Sequence, residues 1–392
     1  MRTSTAESGG RTDRARRIGL ALGLLALLLV VAELGLGYWA HHLRTPYEGW
    51  DTERGTPTLI PGRYATPFGV VSIDARGFVA EAESAADLPV DVAPSGVAGD
   101  RRDARIRIAA LGDSCTFGAG DPESTWPAAL ARRLARETGG GSSPRAAHGR
   151  VAAVVVNAGI AGLRSDEAIG RLAYTLAVVH PDVVPIYLGW NDLMKDAPRS
   201  QTRAAPLSRL WRAIDDLWLV RGLRKLLFFH LRARFGAPRT GPAGETGRFT
   251  GFRPDHFEAN LHHLIAATRA AGARPLLVTL PHSLRRDLTP MELLDPIRQY
   301  PYFWAGNALG DFVDLIDRYN ETIRRVAESE AVPVADLAAR FDRIERKPAY
   351  FLDTMHPNRR GNELIAEVLE RTLQEQGMLV RSPETAASGQ EE

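Results

Sequence analysis

Residues 105–118 read RIRIAALGDSCTFG, and their reading decides the fold. Ile106 and Ile108 alternate with arginines, and the chain then turns wholly apolar through Ala109, Ala110 and Leu111. That pattern predicts a strand over residues 105–111 whose far end is buried. The unit recurs downstream. Helical spacing over residues 126–136 leads to a short β-branched run at 151–156, which predicts a strand buried on both faces. A helix over 166–180 leads to the apolar run DVVPIYL at 182–188, and a helix over 256–271 leads to RPLLVTL at 274–280. Helices over 311–330 and 361–376 flank a short strand at 332–334. Strands alternating with helices predict an α/β fold with a parallel sheet covered on both faces. In such sheets ligands bind beyond the carboxyl ends of the strands, and Ser114 lies there on the first strand.

Four blocks at strand ends carry the chemistry. The first is Gly112-Asp113-Ser114-Cys115-Thr116-Phe117-Gly118. A serine between strand and helix meets free backbone N–H groups and the positive end of the helix dipole, which favour developing negative charge. The pattern is not the G-x-S-x-G elbow of another hydrolase class, and taken alone Ser114 reads equally as a helix cap. The second block is Asn157-Ala158-Gly159-Ile160, where Gly159 can bring its N–H close to a reacting oxyanion. The third is Gly189-Trp190-Asn191-Asp192, whose Asn191 adds a side-chain N–H. The last is Asp353-Thr354-Met355-His356-Pro357-Asn358. A three-residue spacing on a turn can bring Asp353 to His356, fixing the imidazole tautomer so that the other ring nitrogen takes the serine proton.

In this order and at these strand ends, the blocks resemble those of the SGNH hydrolase superfamily, also called GDSL esterases/lipases, of the membrane-anchored bacterial type. The resemblance covers roughly residues 106–376. It implies a flavodoxin-like three-layer α/β/α sandwich and hydrolysis or transfer of acyl esters without metal or cofactor. It also implies roles: Ser114 as nucleophile and first oxyanion donor, Gly159 and Asn191 as second and third donors, and Asp353 and His356 completing a triad. Upstream, Val71-Ser72-Ile73-Asp74-Ala75-Arg76-Gly77-Phe78 loosely resembles the segment preceding that domain in membrane-anchored members, with Asp74 where Asn is commoner. Cys115 departs from a plain pattern, since a thiol can itself be a nucleophile. Adjacent residues at a turn point differently, so only one of Ser114 and Cys115 faces His356; the family pattern assigns Ser114 and leaves Cys115 as packing.

Residues 18–40 read IGLALGLLALLLVVAELGLGYWA. They are long and apolar enough to span a bilayer as a helix, with Glu33 near one end, Tyr38 and Trp39 at the expected interface, and Arg14, Arg16 and Arg17 in front. The positive-inside rule then leaves residues 1–17 as a cytoplasmic tail and places the body outside. A cleaved signal peptide is the rival reading. Residues 41–104 read as a loop-rich juxtamembrane segment whose stretch 81–104 is a linker, residues 105–378 as the hydrolase domain with an insert at about 198–254, and residues 379–392 as a disordered tail. Within the insert, residues 206–235 combine helically spaced Leu and Trp with a local basic excess. That suits either a lid over the sheet or an amphipathic helix on an anionic membrane surface.

Composition limits the alternatives. The 392 residues carry a formal charge of +2, which argues against nucleic acid as a partner, and the single cysteine excludes an intrachain disulfide. No metal site is expected: His256 and His263 share a helix face, His262 and His263 diverge, and no carboxylate spacing completes a ligand set. His282 reads as a surface loop residue or a pocket wall. Asp336 and Asn320 read as structural, and Asp113 as a partner of neighbouring amides. The expected partners are an acylated small molecule, glycan or lipid, and the bilayer. The expected activity is ester hydrolysis outside the cytoplasm. Transfer of the acyl group to an envelope polysaccharide uses the same residues, and a non-catalytic envelope module predicts a broken site.

Overall fold

The computed structural model describes residues 6–38, 46–66, 69–80, 105–118, 124–139, 153–196, 217, 219–220, 247, 249–285 and 309–380. The linker at 81–104, most of the insert and the tail beyond 380 lie outside these residues. Two compact units emerge, one of residues 1–46 and 202–237 and the other of residues 47–201 and 238–392.

In the first unit, helix α1 runs over Ala6–Tyr38. Its stretch Arg16–Tyr38 is long and apolar enough to cross a membrane. Twenty-three residues at 1.5 Å each rise about 35 Å, against a hydrocarbon core of about 30 Å. Leucines on every side of this helix are exposed, so it lacks the single buried stripe of a helix packed on a core. Glu33 is not a bare charge: its carboxylate accepts the Leu219 N–H at 2.8 Å. That bond lowers the cost of placing an acid in the apolar stretch.

The second unit is built on a five-stranded sheet in the order β6-β5-β7-β8-β9. The strands are β5 Ile106–Gly112, β6 Ala153–Asn157, β7 Val183–Tyr187, β8 Arg274–Val278 and β9 Val334–Ala335. Every neighbouring pair is parallel. In order of appearance the spatial arrangement is 2-1-3-4-5, the flavodoxin-like doubly wound topology. Helix α3 (Trp126–Gly139) connects β5 to β6, and α4 (Ser165–Val179) connects β6 to β7 in the opposite direction across the sheet. Right-handed crossovers therefore put these two helices on opposite faces. Helix α9 (Arg359–Glu375) packs with α3, while α6 (Asp255–Ala270) packs with α4 and with α7 (Leu309–Ser329). Between these layers β7 is buried at all five positions, as its unbroken apolar run requires.

The body begins before residue 105, which corrects the loop-rich reading of residues 41–104. Strands β1 (Glu48–Asp51) and β2 (Thr56–Leu59) form one antiparallel hairpin, and β3 (Gly62–Thr66) and β4 (Gly69–Ile73) another. Tyr47, Leu59, Val71, Ile73, Phe78 and Val79 are buried. The Val79 N–H donates to the Asn157 carbonyl at 3.2 Å, so the segment covers the edge of β6 that would otherwise stand open. Asp74 organises the turn: one carboxylate oxygen accepts the Arg76 and Phe78 N–H groups at 2.9 Å each, the Asx-turn chemistry open to Asp as well as Asn. The turn docks on α4 through Arg171, which is buried, stacks 4.7 Å from the Phe78 ring centroid and donates to the Gly77 carbonyl at 2.9 Å.

Candidate active site

Strand order reverses beside β5, whose neighbours β6 and β7 lead in opposite directions, and the carboxyl end of such a strand is where open α/β sheets place their ligand sites. The chain enters the short helix α2 (Ser114–Phe117) at that point. Asp113 caps it, its Oδ1 accepting the Cys115 N–H at 3.0 Å. The cap is wholly buried, and burial pushes the Asp113 carboxyl up to about 6 against the opposing pull of that hydrogen bond. Ser114, at the first turn, keeps an N–H that has no intrahelical acceptor.

Ser114 Oγ lies 2.9 Å from His356 Nε2, and His356 Nδ1 lies 2.7 Å from Asp353 Oδ2. The three side chains come from the end of β5 and from the turn before α9, some 240 residues away. Asp353 does two jobs with its two oxygens. Oδ1 accepts the N–H groups of Met355 at 2.9 Å and His356 at 2.8 Å, which folds the turn. Oδ2 accepts a hydrogen bond from Nδ1–H, which holds the proton on that nitrogen and leaves Nε2 as an acceptor facing the serine hydroxyl. The turn is tied down by Leu352 N–H to the His356 carbonyl and by Ser283 N–H to the Thr354 carbonyl, both at 2.8 Å. Burial works against a charged His356, but the Asp353 hydrogen bond and charge prevail and raise its pKa above the ordinary value.

Cys115 is excluded from the role of nucleophile by its surroundings. Its thiol is buried and directed at the Met355 carbonyl, 3.5 Å away. Burial and the nearby Asp113 and Asp353 charges push it well above the usual thiol range, so the thiolate is suppressed.

Gly159 is placed differently from the sequence expectation. Its N–H donates to the side chain of Asn157 at 3.0 Å, so it is not available to a bound oxyanion. The absence of a side chain serves packing instead: a Cβ here collides with the Phe117 nitrogen and lies 2.8 Å from the Thr116 carbonyl carbon. Asn157 completes the clamp by donating from Nδ2 to the Thr116 carbonyl at 2.9 Å. We predict that Gly159→Ala destabilises the protein by about 1–3 kcal/mol through overpacking, read as a lower melting temperature.

A second glycine, not singled out in the sequence, is Gly162, on the turn closed by the Leu163 N–H to the Ile160 carbonyl at 3.2 Å. Its φ of 79° is the left-handed value such a turn demands. No atom would crowd a Cβ there, and its surface is exposed. Asn191 lies at the start of α5 (Trp190–Asp196) and donates from Nδ2 to the Leu163 carbonyl at 3.1 Å. That bond uses one amide hydrogen and leaves the second for another acceptor. A signal was present in the sequence: a second glycine three residues on, just before the α4 start.

The other candidates have ordinary roles. Asp336 caps α8 (Leu337–Asp342) through the Ala339 N–H and pairs with Arg324 at 2.9 Å. Asn320 holds both polar groups of the Leu280 backbone. His262 pairs with Glu330 at 2.7 Å. His282 is buried, not a surface loop residue.

The family model described as GDSL-like lipase/acylhydrolase matches residues 110–364. The chain belongs to this family. Among solved structures it is similar to TesA (19% identity over 69% of this chain and 98% of that one, TM-score 0.39). It is similar to the lipase/acylhydrolase from Enterococcus faecalis (18% identity, 69% and 96% coverage, TM-score 0.40). It is also similar to the acetyl xylan esterase AlAXEase (17% identity, 68% and 100% coverage, TM-score 0.39). No curated protein matches the sequence. Within this GDSL-like family member, the matched span contains Ser114, Gly162, Asn191, Asp353 and His356 together.

Proposed function

We propose that the protein is a serine acyl-ester hydrolase anchored by α1, with its body outside the cytoplasm and an acylated envelope glycan or lipid as substrate. The observation that carries this reading is the hydrogen-bonded chain Ser114–His356–Asp353 at the switch point of the sheet. Ser114 Oγ attacks the ester carbonyl carbon while His356 Nε2 takes its proton. The resulting oxyanion is held by the Ser114 N–H, the Gly162 N–H and the free Asn191 amide hydrogen. Collapse breaks the carbon–oxygen bond, His356 returns the proton to the leaving alcohol, and an acyl-enzyme remains on Ser114. Water, deprotonated by His356, attacks that ester; the acid leaves and the serine is restored.

Removing one oxyanion donor of this kind typically costs about 10²–10³ in kcat. Asn191→Ala is therefore expected to lower kcat by that factor with KM little changed, measured on an aryl acetate. The raised pKa of His356 sets a further expectation. The base works only when neutral, so kcat/KM falls as pH drops through that pKa, at a pH above the ordinary histidine value.

The substrate class is tested with a panel of esters of varied acyl length, using the purified full chain in detergent, alone and with envelope glycans as acceptors. Release of free acid supports hydrolysis. Transfer of the acyl group to glycan hydroxyls in place of release would overturn hydrolysis in favour of acyl transfer through the same serine. The anchor is tested by the mass of the mature protein in membranes: retention of residues 18–40 supports anchoring, and their loss contradicts it.

A further inference from the structure

We infer that Asp192 is a positioning residue that holds the two oxyanion donors Asn191 and Gly162 at a set separation by gripping the start of α4. Asp192 follows Asn191 directly and is buried. Its Oδ2 accepts the Ser165 N–H at 3.0 Å, and its Oδ1 accepts the Ser165 hydroxyl at 2.6 Å. Ser165 Oγ in turn accepts Asn260 Nδ2 from helix α6 at 2.8 Å. One residue earlier, Asn191 reaches the Leu163 carbonyl. Two consecutive residues of α5 thus hold two points, 163 and 165, of the segment that presents Gly162. A shift of α5 against the 163–165 segment stretches this pair of hydrogen bonds.

The choice of a carboxylate here is informative. Burying one carries a desolvation cost, and burial pushes its carboxyl up to about 6 against the bonds from Ser165. A merely space-filling contact between α4 and α5 is met more cheaply by apolar side chains. A carboxylate supplies what they lack: short, directional bonds that fix a backbone position to a fraction of an ångström, which a preorganised oxyanion site needs. Asp192 itself touches no reacting atom.

The inference rests on the serine-hydrolase reading, so Ser114→Ala is measured alongside it. The full chain is compared with Asp192→Ala, Asp192→Asn and Ser165→Ala for kcat and KM on an aryl acetate. Inhibition by an alkyl boronic acid, which forms a tetrahedral adduct on a catalytic serine, is measured in parallel. Misplacing a catalytic group by about 1 Å costs about 10²-fold, so Asp192→Ala is expected to lose kcat on that scale with KM within about twofold. Boronate affinity is expected to fall by a similar factor. Asp192→Asn is expected to recover part of the loss, because its Oδ1 still accepts from Ser165. Ser165→Ala is expected to lose less, because the backbone N–H remains. If Asp192→Ala does not fold, the other two variants carry the test. Wild-type kcat in all soluble variants overturns the inference, as does a loss shared by KM and kcat with boronate affinity unchanged. Activity surviving in Ser114→Ala overturns the reading beneath it; an inactive Ser114→Ala beside fully active Asp192 variants overturns only the inference.

Discussion

Ser114→Ala is expected to lower kcat on an aryl ester by roughly 10⁴–10⁶-fold, leaving only what the oxyanion donors and substrate binding supply. The size follows from the geometry. Ser114 is the only nucleophile within reach of His356 among the described residues: its hydroxyl sits 2.9 Å from Nε2, whereas the neighbouring thiol is turned toward the Met355 carbonyl. Removing the hydroxyl leaves the imidazole with no group to deprotonate except water. The substitution deletes a single oxygen atom, so the melting temperature is expected to stay within a few degrees of wild type. Steady-state kinetics and a thermal melt together check the prediction, and a large fall in melting temperature accompanying lost activity would point to misfolding instead.

Asp353→Asn is expected to cost about 10⁴-fold in kcat, the scale found when a triad carboxylate becomes an amide. The imidazole tautomer decides this loss. The introduced amide retains an oxygen that can accept the Met355 and His356 N–H groups, so the turn survives. In place of Oδ2 it presents an NH₂, a donor, to His356 Nδ1. Nδ1 must then accept, the ring proton moves to Nε2, and Nε2 can no longer take the serine proton. Loss of the Asp353 carboxylate also removes the hydrogen bond and, after it, the charge that raise the His356 pKa. The residual activity should therefore show its acid limb at lower pH than wild type. Equal kcat in wild type and Asp353→Asn would contradict the tautomer role, and a pH profile that does not move would contradict the electrostatic one.

The central sheet was legible because its strands are uninterrupted β-branched or apolar runs, as in Val183–Tyr187. Such runs leave no face for solvent and admit only a covered parallel sheet. The meeting of Ser114, Asp353 and His356 was legible for a related reason: each sits in a short polar block at a strand or turn that leads into a helix. The donors were harder. Gly159 and Gly162 stand three residues apart, and only the backbone path shows that the first is pressed against Phe117 while the second lies open on a turn. The grip of Asp192 on Ser165 joins residues 27 positions apart on different helices, which no local pattern reveals. The early hairpins escaped notice because their strands are four or five residues long and carry Gly, Pro and Arg. Their apolar residues look scattered until Val79 pairs with the edge of β6 and Ile73 with Val79, with Val71, Ile73 and Val79 all buried.

The most direct test of the account is to treat the full chain with a fluorophosphonate, which phosphonylates only a serine activated by a neighbouring base, and to map the adduct by peptide mass spectrometry. One adduct is expected, on Ser114, lost in Ser114→Ala and nearly lost in Asp353→Asn. An unlabelled protein, or an adduct on another residue that persists in Ser114→Ala, would contradict it.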